Sequence, residues 1–273
     1  MSLLRHFHLL NSPLGPMSIK VELQKMLIFF FSRLAQIGLL GLQLIWHFLH
    51  FIVSAFYFVV GIATTLESYL ISWGFPCKYK HLNIDRVQYL AIVVESDEAY
   101  NTLKMIELLE WLVSLGIRSV CLYDAEGVLK QSKEIILKKV KNASEFQGID
   151  EPLQLNKKGI TLEFISASDG KEAIARAANF LLQNKWRKTN MSGDHKRCLS
   201  ESQMTEALKA VGCGGLDPDL ILVYGPTRCH FGFPAWRIRY TEILHMGPLK
   251  SMKYGSLLKA IYKFTRVRQN YGK

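Results

Sequence analysis

From about Met26 to Phe75 nearly every position is apolar or small, and no charged side chain falls between Arg33 and Glu67. One bilayer crossing takes about 20 apolar residues. The run therefore predicts a transmembrane helical region over 26–75, as one long tilted helix or two tightly joined ones, after a short N-terminal segment over 1–25. A core helix would be shorter and show a polar stripe, and a cleaved signal peptide would start nearer the N-terminus with a shorter apolar stretch. Trp46, Tyr57, Tyr69 and Trp73 suit interfacial belts, the first two only if the region makes two spans.

The pattern changes after this region. Tyr89–Val94 is a continuous apolar run of the kind expected for a strand buried on both faces. Leu103–Leu115 repeats apolar residues at helical spacing and stops at Gly116, a C-terminal signal. Ile117–Tyr123 predicts the next strand, Glu126–Val140 a basic helix with Ile135, Ile136 and Val140 on one side, and Gly159–Ser166 another strand. Ser168–Leu182 carries Ala173, Ile174, Ala177 and Leu181 as a stripe behind the cap-like pair Ser168 and Asp169. Asn184–Ser200 is polar and patternless, and predicts a flexible insertion before a helix over Glu201–Val211. Leu220–Tyr224 and Trp236–Ile243 predict the last strands, and Tyr254–Arg268 a terminal amphipathic helix. Alternation of strand and helix implies an α/β domain over 79–273 with a mostly parallel central sheet flanked by helices.

Composition narrows the function classes. The net charge is +11, yet the basic residues are scattered and no nucleic-acid motif accompanies them, so a basic face toward anionic headgroups or a diphosphate-bearing lipid is the simpler expectation. Basic residues flank the apolar region on both sides, so the positive-inside count does not fix its orientation. The five cysteines are irregularly spaced with no Cys-x-x-Cys pair, which suits a reducing compartment. The pairs His195 with Cys198 and Cys229 with His230 lack a second half at zinc spacing, so no metal site is expected in this chain.

The most informative stretch is Pro218–Ile243, PDLILVYGPTRCHFGFPAWRIRYTEI. It resembles the last signature of the cis-prenyltransferases, in which Pro-Asp-Leu opens a strand, an arginine-bearing loop holds diphosphate, and a Trp precedes a Tyr-x-Glu strand. Pro218, Asp219, Leu220, Phe233, Trp236, Tyr240 and Glu242 fall on the matching positions. The loop departs from the pattern. Val223 and Cys229 stand where the enzymes place their diphosphate-binding arginines, and Phe231-Gly232 replaces Ser-Asn. Uncharged residues lack the forked, charge-assisted donors that diphosphate recognition uses. Gly225-Pro226, Gly232-Phe233 and Trp236–Ile243 are similar to one subgroup, the Nogo-B receptor type accessory subunits of dehydrodolichyl diphosphate synthase.

The first family motif, Asp-Gly-Asn-x-Arg-Trp, would begin at Glu95, where the chain reads Glu95-Ser96-Asp97-Glu98. The resemblance thus makes Glu95, Val223 and Cys229 degenerate catalytic positions and leaves no catalytic residue. It assigns Trp236, Arg237, Arg239, Tyr240 and Glu242 to a subunit interface, with Arg237 to Tyr240 alternating along a strand. The family tail, which ends Arg-x-Gly and reaches the partner's active site, corresponds to Arg268, Asn270, Tyr271, Gly272 and Lys273, with Asn270 in place of the Arg.

The resemblance therefore implies a cis-prenyltransferase-like domain without catalysis of its own. Its partners would be a catalytic cis-prenyltransferase subunit, isoprenoid diphosphates at a shared site, and the membrane. It would bind no cofactor itself; Mg2+ belongs to the catalytic partner. The expected place is the endoplasmic reticulum membrane with the domain facing the cytosol, in a complex making long-chain polyprenyl diphosphate for dolichol and protein glycosylation. Two rival readings are a self-sufficient enzyme in which Glu95 and Glu242 still bind magnesium, and a receptor or scaffold that reuses the fold.

Overall fold

The structure, a computed structural model, describes residues 16–75, 79, 82–146, 159–189 and 200–266, without side chains over 16–22 and 185–189. It falls into two units, Met1–Thr65 and Leu66–Lys273. The first is dominated by α1 (Pro16–Ser72), which runs 57 residues without a break. At about 1.5 Å per residue its length is far beyond the roughly 30 Å of a hydrocarbon core. Within it Leu23–Ser72 contains an 18-residue stretch of mean hydropathy 1.9, and it is the one helix among the described residues long and apolar enough to cross a membrane. Its large side chains are exposed, from Met26 at 72% to Phe58 at 69%.

The second unit is built on six parallel strands: β1 (Leu90–Val94), β2 (Ser119–Tyr123), β3 (Ala143–Glu145), β4 (Ile160–Ile165), β5 (Leu220–Tyr224) and β6 (Glu242–Gly247). Their order is β3-β4-β2-β1-β5-β6, so the mostly parallel α/β sheet implied by the strand and helix pattern is what forms. The three central strands β1, β2 and β5 are buried at every position, as their unbroken apolar runs require. On one face α3 (Thr102–Leu115), α4 (Val128–Gln131), α5 (Lys133–Lys139) and α8 (Tyr254–Arg266) share a core with Leu90, Ile92, Leu122 and Leu222. On the other face Ala91, Val93, Cys121, Tyr123, Ile221 and Val223 meet Phe233, Phe231 and Ile238. Beyond them α6 (Lys171–Thr189) and α7 (Glu201–Ala210) pack through Ala173, Ala177, Ala207 and Leu208.

Local signals explain most helix ends. Asn101 caps α3, its side chain accepting from the Lys104 amide, and Gly116 closes it at φ 88°, a conformation that costs other residues more. Ser200 and Gln203 form a capping box on α7.

Several expectations are corrected. The basic helix over Glu126–Val140 is two helices: α4 starts where the buried Asp124 carboxylate accepts from the Val128 and Leu129 amides, and the helical backbone is interrupted at Ser132, φ −88° and ψ 4°, before α5. Ile135 faces solvent at 52% while Ile136 and Val140 are buried, so the three do not share one side. The patternless stretch from Asn184 begins inside α6, whose backbone continues to Thr189; few apolar residues are needed to extend a helix already nucleated by packing. The short edge strand β3, with no apolar run, escaped the hydrophobic pattern. Trp236–Ile243 is not a strand: Ala235–Arg237 is a turn of 3-10 helix, and pairing with β5 starts only at Glu242. The physical reason is topological. β6 runs parallel to β5, so residues 225–241 must carry the chain back along the sheet before β6 can begin.

Candidate functional site

Ligands of open parallel sheets bind outside the carboxyl ends of the strands, and this is where the sequence places Glu95 and the loop after β5. Glu95 follows β1 and precedes the four-residue helix α2 (Ser96–Ala99), with its amide donating to the Tyr224 carbonyl at 3.0 Å. Of the residues that follow, the Glu98 carboxylate accepts from the Leu249 amide and the Ser96 hydroxyl from the Glu126 amide. Three carboxylates in succession, Glu95, Asp97 and Glu98, repel an anionic ligand at this edge.

The loop over 225–233 closes the edge with an aromatic ring. A Cβ on Gly225 would lie 2.7 Å from Phe231 Cζ, 2.9 Å from its Cε2 and 3.3 Å from Glu95 Cβ. Only glycine lets the Phe231 ring sit down on the end of β5. Phe231 is itself held at φ 46°, an uncommon conformation for a bulky residue. The Tyr123 hydroxyl donates to the Phe231 carbonyl at 2.9 Å, and the Tyr123 ring meets Phe233 edge-on at 5.4 Å. Burial, then the neighbouring Asp124 and Asp169, push the Tyr123 phenol up to about 12. It stays protonated and donating at any physiological pH.

Val223 lies in mid-strand, 1% exposed, in the apolar layer that packs against Phe231. A guanidinium there would be buried among Ala91, Val93 and Ile221 without a partner. Cys229 is exposed on the loop with its thiol 3.4 Å from the Thr227 hydroxyl.

Glu242 stands elsewhere. It pairs with Leu220, which pairs with Leu90, so it is level with the amino end of β1, whereas Glu95 follows its carboxyl end. Five residues at a rise of about 3.3 Å separate the two levels by about 16 Å. The carboxylates of one chain do not converge on a common ion, and no cluster of three or more His, Cys, Asp or Glu suited to a metal occurs among the described residues.

The residues assigned to a subunit interface divide. Arg237 is 5% exposed and turned into the domain. Its Nη1 and Nη2 donate to Glu163 Oε1 and Oε2 at 3.1 and 2.8 Å, and Nε and Nη2 donate to the Leu216 carbonyl at 2.8 and 2.6 Å. Nη2 also reaches the Tyr89 hydroxyl at 3.2 Å, and that hydroxyl donates to Glu163. Burial is the leading cause that pushes the Tyr89 phenol and the Cys121 thiol beside this pair well up. Arg237 thus does not alternate with Arg239 on a strand face; it locks the return segment onto β4. Trp236 is half-buried, its Nε1 donating to Thr205 at 3.2 Å across α7. Arg239 pairs with Asp217 and Glu201 at the surface. Tyr240, 60% exposed, remains outward.

Sequence reasoning missed Asp124, Glu163 and the role of Asp219. The Asp219 carboxylate accepts from the Gln88 and Tyr89 amides at 2.8 and 2.9 Å, fixing the start of β1 against β5. A Glu at the centre of the alternating run Ile160–Ile165 was the available signal for a buried pair. A cavity of about 590 Å3 opens beside Glu163 and Arg237, lined also by Asp169, Lys209 and Gly212–Gly215, but the guanidinium at its wall is already engaged by Glu163 and Leu216. The tail positions Arg268, Asn270, Tyr271, Gly272 and Lys273 lie outside the described residues.

Known proteins were compared on both sequence and fold. The human dehydrodolichyl diphosphate synthase complex subunit NUS1 is 26% identical over 196 residues, covering 67% of this chain. The chain is similar to NUS1 subunits. The Schizosaccharomyces pombe subunit nus1 is 24% identical over 203 residues, covering 68% of this chain and 76% of that protein. The match spans 65% of the length of the human relative. No family model matches. Among solved structures, a probable undecaprenyl diphosphate synthase from Campylobacter jejuni superposes with a TM-score of 0.48 at 18% identity, over 68% of this chain and 99% of that one. Those relatives are named as subunits of a dehydrodolichyl diphosphate synthase complex.

Proposed function

We propose that this chain is a non-catalytic, membrane-anchoring and activating subunit of a heteromeric cis-prenyltransferase, the dehydrodolichyl diphosphate synthase complex. The observation that carries the reading is the Phe231 ring seated on Gly225 and against Glu95, which fills with apolar atoms the edge where a diphosphate would need donors. The likeness to NUS1 subunits supports the choice of complex. The catalytic partner would join isopentenyl units to farnesyl diphosphate with Mg2+, giving long-chain polyprenyl diphosphate for dolichol and protein glycosylation at the endoplasmic reticulum. This chain would contribute the membrane helix, a dimer surface carrying Arg239, Tyr240 and Glu242, and the tail beside the partner's diphosphate. The domain would face the cytosol.

The test is turnover of purified full-length chain on farnesyl and isopentenyl diphosphates with Mg2+, alone and after reconstitution with the catalytic subunit that copurifies with it. Activity only in the pair is expected. Turnover by the chain alone overturns the reading, and failure to recover any cis-prenyltransferase by copurification favours a receptor or scaffold. In the active pair, deleting Gly272 and Lys273 should abolish most activity, and Asn270→Arg should preserve or raise it. Unchanged turnover and substrate affinity on deletion would remove the tail from the active site.

A further inference from the structure

The uncharged run of α1 ends at Leu66, and within two residues the chain enters the packed domain: Ser68 is 3% exposed and Ile71 2%. The seam between these last turns of α1 and α8 is tight. A Cβ on Gly255 would lie 2.0 Å from the Ser68 carbonyl oxygen and 2.8 Å from its Oγ, so α8 presents glycine where the two backbones approach. Ser256 donates to Ser68, Lys259 pairs with Glu67, and Ile71 packs with Tyr79 and Leu258.

The two segments packed at this seam carry two kinds of exposed residue. Tyr69, Trp73 and Phe75 are 57%, 79% and 67% exposed, although aromatic rings of that size ordinarily find cover in a packed domain. The three cations of α8, Lys259, Lys263 and Arg266, follow at helical spacing and are exposed, while α8 carries no acid and Glu67 is the one carboxylate in Leu66–Phe75. Exposed aromatics in Tyr69–Phe75 and cations on the helix packed against that segment, immediately after an apolar run, are the composition of a headgroup layer. That layer is about 5–8 Å deep on each side of the hydrocarbon, whereas two helical residues advance only about 3 Å.

We propose that the α1–α8 seam is a membrane-docking surface, with Tyr69, Trp73 and Phe75 among the headgroups and Lys263 and Arg266 facing anionic lipid. The inference rests on α1 being a membrane span. It adds that the domain lies directly on the bilayer, where a long apolar product would leave a neighbouring active site without crossing water.

The experiment uses the full chain in nanodiscs of phosphatidylcholine, with and without phosphatidylserine, doped with a phosphatidylethanolamine bearing a photoreactive diazirine on its headgroup. Crosslinked peptides are mapped by mass spectrometry. The expected result is crosslinking in Leu66–Phe75 and in α8 exceeding that in α7 by an order of magnitude, and rising several-fold at α8 with phosphatidylserine. Crosslinks confined to residues before Leu66, or spread equally over α7, overturn the docking surface while leaving the span intact. Separately, release of the chain from cell membranes by alkaline carbonate would overturn the span itself, and the docking surface with it.

Discussion

Arg237 offers the sharpest separation between an interface residue and an internal one. Replacing it by alanine removes the donors to Glu163, to the Leu216 carbonyl and to the Tyr89 hydroxyl, and leaves Glu163, 15% exposed in its side chain, without its countercharge. Breaking a buried pair by removing one partner costs about 3–5 kcal/mol. For a domain of this size that corresponds to a drop in Tm of roughly 10 °C. Arg237→Lys should recover only part of the loss, because one ammonium cannot hold both Glu163 oxygens and the carbonyl in a fork. Removing the whole group together, as Arg237→Met with Glu163→Leu and Tyr89→Phe, should restore most of the stability, since no buried charge is then left alone. The assay is thermal unfolding of the detergent-solubilised chain without any partner, followed by near-ultraviolet circular dichroism. A Tm shift of less than a few degrees for Arg237→Ala, combined with weakened binding to the catalytic subunit, would refute the internal role.

Val223→Arg places a guanidinium in a strand position that is 1% exposed; it should destabilise the chain by several kcal/mol and give no turnover on isoprenoid diphosphates, as measured by unfolding and product extraction. Gly255→Leu should force α8 away from Ser68, lowering stability by about 1–3 kcal/mol and raising the exchange rate of α8 amides measured by hydrogen exchange. The raised phenol of Tyr123 predicts an alkaline effect: the unfolded chain loses that proton near its ordinary pKa of about 10, the folded chain only near about 12, so the folded state binds more protons in between. Stability should fall as pH rises through that window, and denaturant titrations of Tyr123→Phe should lack this component; an identical pH slope in the variant would sink the assignment.

Several parts of this protein were legible without coordinates. Continuous apolar runs at β1, β2 and β5 could only be central strands, because both faces of a parallel sheet are covered, and Gly116 and the Ser200 box mark helix ends by local chemistry alone. A helix long and apolar enough to cross a membrane needed only a count of uncharged residues. Glu95, Val223 and Phe231 were visible as residue types that offer an anion no charged donor.

Tertiary structure decided what those residues do. The alternation Arg237, Ile238, Arg239, Tyr240 imitates a strand, and only the need to return along the sheet before β6 makes it a connection. Pairing of Arg237 with Glu163 spans 74 residues of sequence, a distance at which no local pattern reports contact. The same holds for Asp219 under the start of β1 and for Gly255 against Ser68. Sequence determined which segments must be buried and which residue types stand at the sheet's edge, because hydrophobic period and charge are local properties. The fold determined which polar residues became internal braces and which remained outward, because a buried charge is tolerated only where a distant partner arrives to meet it.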